Sequence, residues 1–176
     1  MAYTTDRTWV TGEVVTAALM NTYVRDNIKW LSTDKPMVRA YRTTAQSIAN
    51  SSYDGIQMDT EIFDNANIHG VTNTDRFTVP SGAGGKWLCG ASVQWVWSTI
   101  GVYRIAAVTV DGAAEFQTSS PTVGTSSETP TTVSGIVTVN AAQVIRPAAF
   151  QDSGGALNTS TGFTKNVGGW AMWVGV

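Results

Sequence analysis

Along residues 9–31, WVTGEVVTAALMNTYVRDNIKWL, apolar side chains recur every three to four positions, and from residue 36 onward they recur every second position. The first spacing is that of one helical face and the second that of a half-buried strand. Thr11 is placed to cap the helix, with Glu13 in a first turn whose free N–H groups favour a carboxylate. From Val14 the apolar positions fit a heptad: Val14, Asn21 and Ile28 on one seam position, Ala17, Val24 and Leu31 on the other. Pro36 closes the helix, because proline disfavours helical geometry in the residue before it. Two arrangements fit this stripe. The helix either lies on its own domain, or forms a short parallel coiled coil in which Asn21 fixes register at some cost in stability. Three heptads are marginal alone, so in the second case the following domain supplies most of the association energy.

The period-two region predicts a series of strands. PMVRAYRT reads as one, IQMDTEIFD (56–64) as another, and DRFTVP (75–80) as a third. After the glycine turn SGAGG comes WLCGASVQWVWS, with Val93, Trp95 and Trp97 on one face and Ser92, Gln94 and Ser98 on the other. VYRIAAVTV ends at Asp111-Gly112, a strong hairpin signal. TTVSGIVTV, QVIRPAAFQ and GWAMWVGV complete the set, and no second long helix is predicted. Many strands with turns at short spacing imply a sandwich or barrel. Residues 117–135, almost wholly Ser, Thr, Pro and Gly, read as a solvated connection with at most a short edge strand, or as an exposed loop that meets a partner. The expected organisation is an arm and helix over 1–35 and a β-sandwich over 36–176.

Composition narrows the function. The charged fraction is 14%, against about 25% in an ordinary soluble domain. With 7 Trp in 176 residues, this points to surface buried against other copies. A net charge of -2 without a basic stripe argues against a nucleic-acid partner. No apolar run approaches a membrane span, so no membrane insertion is expected. MAYTTDRTW lacks the basic start and apolar stretch of a secretory signal, so synthesis in a reducing cytoplasm is expected.

Reactive groups are few. Cys89, the only cysteine, lies in the apolar run Trp87-Leu88-Cys89 and reads as a small buried hydrophobe. His69 is the only histidine, and no Gly-x-Ser-x-Gly elbow supports a Ser-His-Asp site through it. PSGAGGKW has the glycines and lysine of a phosphate loop, but lacks the first Gly at the required spacing and has Trp87 where a Ser or Thr would bind magnesium. Asp59, Glu61, Asp64 and Asp75 could supply oxygens to calcium, although EF-hand spacing is absent. Solvated carboxylates at strand edges and loops are the preferred explanation. No catalytic residues, cofactor or metal ligands are therefore assigned.

Two stretches carry a resemblance. IFDNANIHGVTNTDRFTVPSGAGGKWLCGASVQW and VTVNAAQVIRPAAFQDSGGALN resemble the complement C1q and tumour-necrosis-factor-like jelly roll, over roughly residues 36–176. Ala142-Gln143 stands where that family often has Gly-Asp. The resemblance implies a homotrimer with aromatic residues near the three-fold axis, and Trp170, Met172 and Trp173 on the last strand are candidates either for the trimer core or for the core of the sandwich itself. Arg-Thr-Trp, Gly-Glu-Val-Val-Thr-Ala-Ala and Asn-Thr-Tyr-Val-Arg-Asp-Asn, between Arg7 and Asn27, are similar to the N-termini of bacteriophage virion structural proteins. That implies an N-terminal segment attached to a capsid or tail protein and a knob exposed on the virion surface, as a tail fibre or spike or as a capsid fibre or decoration. Such a knob is available to a host glycan or protein. The competing expectation is a polysaccharide-degrading phage spike, which needs a carboxylate pair about 5 to 9.5 Å apart.

Overall fold

The computed structural model describes residues 4, 5, 7–121, 128–162 and 167–175. The chain divides into two compact units, Met1–Lys35 and Pro36–Val176.

In the first unit a helix runs over 17–34. Its α turns Ala17–Met20 and Asp26–Lys29 alternate with π turns Asn21–Arg25 and Trp30–Asp34. It begins later than the Thr11 cap predicts. Thr16 is the cap, its Oγ1 accepting from the Leu19 N–H at 3.3 Å. Thr11 instead turns the chain, helped by Gly12 at a φ of 81° that a side chain would resist. Lys35 leaves the helix with ψ 124°, as the proline after it requires. No helix among the described residues is long and apolar enough to cross a membrane.

The second unit is mainly β. In chain order its strands are β1 (Met37–Tyr41), β2 (Ser47–Ile48), β3 (Asp54–Gly55), β4 (Thr60–Asp64), β5 (Phe77–Thr78) and β6 (Gly85–Trp95). They continue with β7 (Tyr103–Val110), β8 (Ala113–Pro121), β9 (Thr129–Val139), β10 (Val144–Gln151), β11 (Leu157–Asn158) and β12 (Gly168–Gly175). One sheet has the order β4-β1-β12-β6-β9. The other is β3-β10-β7-β8, with β5 also on β10, and β2 pairs with β11. All these pairings are antiparallel.

The alternation along each strand decides which face is buried. Trp87, Cys89, Ala91, Val93 and Trp95 of β6 are fully enclosed, as are Val38 and Ala40 of β1 and Ala171 of β12. They face a second apolar layer from β7 and β10, including Ala106, Val108, Ile145 and Ala149. Two glycines let the sheets approach in this sandwich-like arrangement. A Cβ on Gly169 would lie 2.2 Å from Pro147 of β10, and one on Gly135 would lie 2.9 Å from the Phe116 ring of β8.

The Asp111-Gly112 turn forms as its sequence predicts, with φ of 48° and 89°, the two positive values of a type I′ hairpin. Residues 117–135 depart from expectation. β8 covers 117–121 and β9 covers 129–135, while 122–127 lie outside the described residues. Along β9 buried and exposed positions alternate, with Thr129 and Thr131 as buried members, so polar side chains masked a strand period. The predicted strand 56–64 is also shorter: Ile56 and Met58 are buried, but only Thr60–Asp64 pairs as a strand at the sheet edge.

Candidate functional site

The N-terminal unit is built around a latch between its arm and its helix. The Thr4 N–H donates to Asn27 Oδ1 at 3.0 Å, and Asn27 Nδ2 donates to the Thr4 carbonyl at 3.0 Å and the Tyr23 carbonyl at 3.2 Å. One amide side chain thus pairs with the arm's backbone as a neighbouring strand would. The Arg7 guanidinium lies 5.2 Å from the Trp9 ring centre and 5.5 Å from that of Tyr23, and it pairs with Glu13. Trp9 and Tyr23 meet edge to face at 6.5 Å, a favoured aromatic geometry. Glu13 also accepts from the Val10 N–H at 3.3 Å. It braces the arm rather than capping the helix.

The latch takes the Tyr23 and Asn27 face and leaves the seam on another. Ala17, Asn21, Ile28 and Leu31 are exposed, and Val24 is half-buried. Val14 is a correction: it precedes the first helical turn and stands in solvent, so it is no part of a helical seam. The π turns also take more residues per turn than an α-helix, so a strict 3.5-residue repeat drifts along this helix.

The sandwich exposes a second apolar surface. On the outer face of the five-stranded sheet, the register aligns Phe63, Arg39, Trp170 and Gly90 in one row. The next row holds Met37, Met172, Leu88 and Ile136. Phe63 is 44% exposed and Ile136 is 61% exposed. An open groove of about 430 Å³ runs between Met37, Arg39, Phe63, Trp170 and Met172. A Cβ on Gly90 would sit 2.8 Å from the Trp170 ring, so the glycine lets the indole lie flat on the sheet.

The three residues predicted for a trimer core therefore divide. Trp170 and Met172 lie on this outer face. Trp173 does not: β12 alternation turns it inward, it is buried, and its Nε1 donates to the Gly84 carbonyl at 3.2 Å. Met37, Phe63, Leu88 and Ile136 were not anticipated there. Each sits in a strand predicted from sequence, but only cross-strand register reveals that they form one patch.

The groups considered for chemistry are held by local partners. His69 Nε2 donates to the Thr74 carbonyl at 3.1 Å, and Nδ1 lies 3.0 Å from Glu61 Oε1. With both ring nitrogens engaged, His69 ties the 69–74 connection to β4. Beside it is an open cleft of about 540 Å³ lined by Met58, Asp59, Glu61 and Val71. Asp59 accepts from the Thr43 N–H and hydroxyl, and Asp64 from the N–H groups of Ala66 and His69. Asp75 pairs with Arg76 at 2.7 Å and Arg146 at 3.0 Å. Burial pushes the Asp75 carboxyl up, but the Arg76 hydrogen bond and the two cationic charges outweigh it and hold it below the usual range. Among the described residues, no three His, Cys, Asp or Glu side chains converge on a metal position. Burial pushes the Cys89 thiol up to about 12, so it remains protonated within the core. The 80–85 stretch is a turn, where the Ala83 N–H donates to the Pro80 carbonyl at 3.1 Å. The Ala83 carbonyl in turn accepts from Trp87 Nε1 at 2.9 Å.

No protein-family model matches the chain, and no curated protein matches it.

Proposed function

We propose that the protein is a non-enzymatic, homotrimeric phage virion structural protein with a C1q/TNF-like jelly-roll knob. Residues 1–35 attach it to a capsid or tail protein, and the knob stands on the virion surface, available to a host glycan or protein. The observation that carries the reading is the apolar outer face of the five-stranded sheet. A patch of aromatic, Met, Leu and Ile side chains around Arg39 is what an interface leaves uncovered when its partners are removed. A three-fold arrangement of copies would bury it without an open-ended chain of contacts.

Other features support the same reading. The sheet orders β4-β1-β12-β6-β9 and β3-β10-β7-β8 bring first and last strands together, as a jelly roll does. The helix carries exposed Ala17, Asn21, Ile28 and Leu31 with half-buried Val24 among them, a stripe that offers its copies a short seam. The phage-like string supplies the latch residues Arg7, Trp9, Glu13, Tyr23 and Asn27, which gives that string a structural role.

Mass photometry of the purified protein tests the assembly. A trimer is expected, and Met172→Lys should convert it to monomer, since a charge on the patch opposes its burial. A monomeric parent protein defeats the proposal. Virion imaging then separates head from tail placement by where the trimer density lies. Release of oligosaccharide from host surface polysaccharide by the purified protein would overturn the non-enzymatic part.

A further inference from the structure

The connection between β6 and β7, residues 96–102, is short of charge and rich in exposed apolar surface. Trp97 is 49% exposed, Ile100 63%, Val102 57% and Tyr103 49%. Such a cluster on a loop tip is uncommon unless something covers it. It belongs to neither the sheet groove nor the helix stripe.

This tip is held by a buried arginine paired with a partly exposed aspartate. Arg104, 1% exposed, donates from its guanidinium to the Ile100 carbonyl at 2.7 Å and the Tyr103 carbonyl at 2.9 Å. Asp152 Oδ1 accepts from the N–H groups of Val102 and Tyr103, both at 2.8 Å, and lies 3.7 Å from Arg104. Ser98 Oγ accepts from the Ile100 N–H at 3.3 Å. Gly101 has a φ of 87°, and a Cβ there would lie 2.5 Å from the Asp152 carboxylate. Burying a guanidinium is costly unless its donors are used. Here they fix backbone under four solvent-facing apolar side chains, which lowers the ordering cost of binding.

We propose that this tip is a saccharide-binding site that takes the apolar face of a neutral pyranose ring. Trp97 and Tyr103 offer aromatic surface to the ring's C–H groups, while Ile100 and Val102 flank it. Both described hydrogen bonds to Asp152 fall on Oδ1, which leaves Oδ2 as an acceptor for sugar hydroxyls, and the Ser98 and Thr99 hydroxyls add neutral partners. The charge pattern selects among occupants. Residues 96–103 contain no Lys or Arg, and Asp152 at the foot of the tip is acidic and partly exposed. That disfavours an anionic bilayer, which attracts basic residues. The site deepens the host-surface reading above and rests on it for where the sugar is met.

The test is a titration of the full chain, carrying 5-fluorotryptophan, with cellohexaose, chitohexaose, maltohexaose and mannohexaose, followed by fluorine NMR. At least one sugar is expected to shift the Trp97 resonance, identified by its loss in Trp97→Phe, with saturation. Calorimetry on unlabelled protein should show about tenfold weaker binding for Trp97→Ala and a change under about threefold for Trp97→Phe. Gly101→Ala keeps the aromatics but unsettles the tip, and should weaken binding about fivefold. Absence of binding by all four sugars at about 10 mM, or binding undiminished in Trp97→Ala, overturns the proposal. Partition onto phosphatidylcholine vesicles, with or without phosphatidylglycerol, in place of sugar binding would assign the tip to a bilayer and also overturn it. Oligomeric state and virion imaging read the other proposal, so either can fail without the other.

Discussion

The two units of this chain hold themselves together by different means. Residues 36–176 bury Trp87, Trp95, Phe77, Ile56 and Met58 between and beside two sheets. Residues 1–35 bury little: Trp30 and Asn27 are their buried members among the described residues, and a polar latch with a stacked Arg7 does the rest. Apolar burial is non-directional and scales with area, so the sandwich tolerates a sparse use of charge. The arm has too few residues for a core and relies on directed bonds, which specify one geometry at small net stability. Its apolar residues, Val10, Val14, Met20, Ile28 and Leu31, remain in water. One unit carries an apolar core of its own, and the other leaves most of its apolar side chains exposed.

The sharpest way to break this contrast is within the sandwich. Trp87→Ala removes a fully buried indole and leaves the Ala83 carbonyl without its donor. The expected loss is about 4 kcal/mol, read as a lower urea midpoint. An unchanged midpoint would mean that the core is not where the stability lies.

A smaller effect tests the charged part of the same unit. Asp75→Asn removes the anion between Arg76 and Arg146 and should cost about 2 kcal/mol, less than for a wholly buried pair because both guanidiniums reach water. The carboxyl is held below its ordinary value in the folded chain, so its contribution is complete above about pH 4. It is lost as pH falls through the lower folded value. The variant should therefore lose less stability on acidification than the parent. Parallel curves for the two proteins would remove Asp75 as a source of acid sensitivity.

In the first unit, Asn27→Ala deletes the two hydrogen bonds that tie the arm to the helix and a third to the Tyr23 carbonyl within the helix. The cost should be about 1.5 kcal/mol and local. Hydrogen exchange at the arm amides should speed up while β6 and β10 amides stay protected. Equal acceleration in both units would mean that they unfold together.

How much of this was legible in the sequence follows the same division. The strands over residues 37–41, 103–110 and 144–151 and the Asp111-Gly112 turn were readable, because side-chain period and turn chemistry are local properties. The start of the helix was not. Thr11 and Thr16 are both sound caps, and the choice depends on Glu13 reaching Arg7 and Val10 once the arm folds back. The strands within 117–135 were hidden because Thr occupies inward positions of β9. For the surfaces, Trp170 and Met172 could be nominated by type, but Trp173 could not be separated from them. Its inward direction is set by pairing with Trp87, and pairing is not written in any one strand.

The smallest expected effect concerns the stripe that the latch leaves uncovered. Asn and Val have similar helix propensity, so Asn21→Val should leave a helix exposed to water nearly unchanged in stability. In a three-stranded seam the same substitution exchanges a polar side chain for an apolar one at a buried position. It should then stabilise the assembly by a few tenths to about 1 kcal/mol per helix while relaxing the register that Asn imposes. The sign is readable as a rise in Tm that grows with protein concentration, because only the assembled form benefits. Register is read separately, by disulfide trapping with a cysteine introduced at Ile28 in the Cys89→Ala background. The parent should cross-link in one alignment, and the Asn21→Val chain also in alignments shifted along the helix. A Tm that does not move at any concentration would place the stripe against something other than its own copies, and residues 1–35 would then be an attachment element without a stalk.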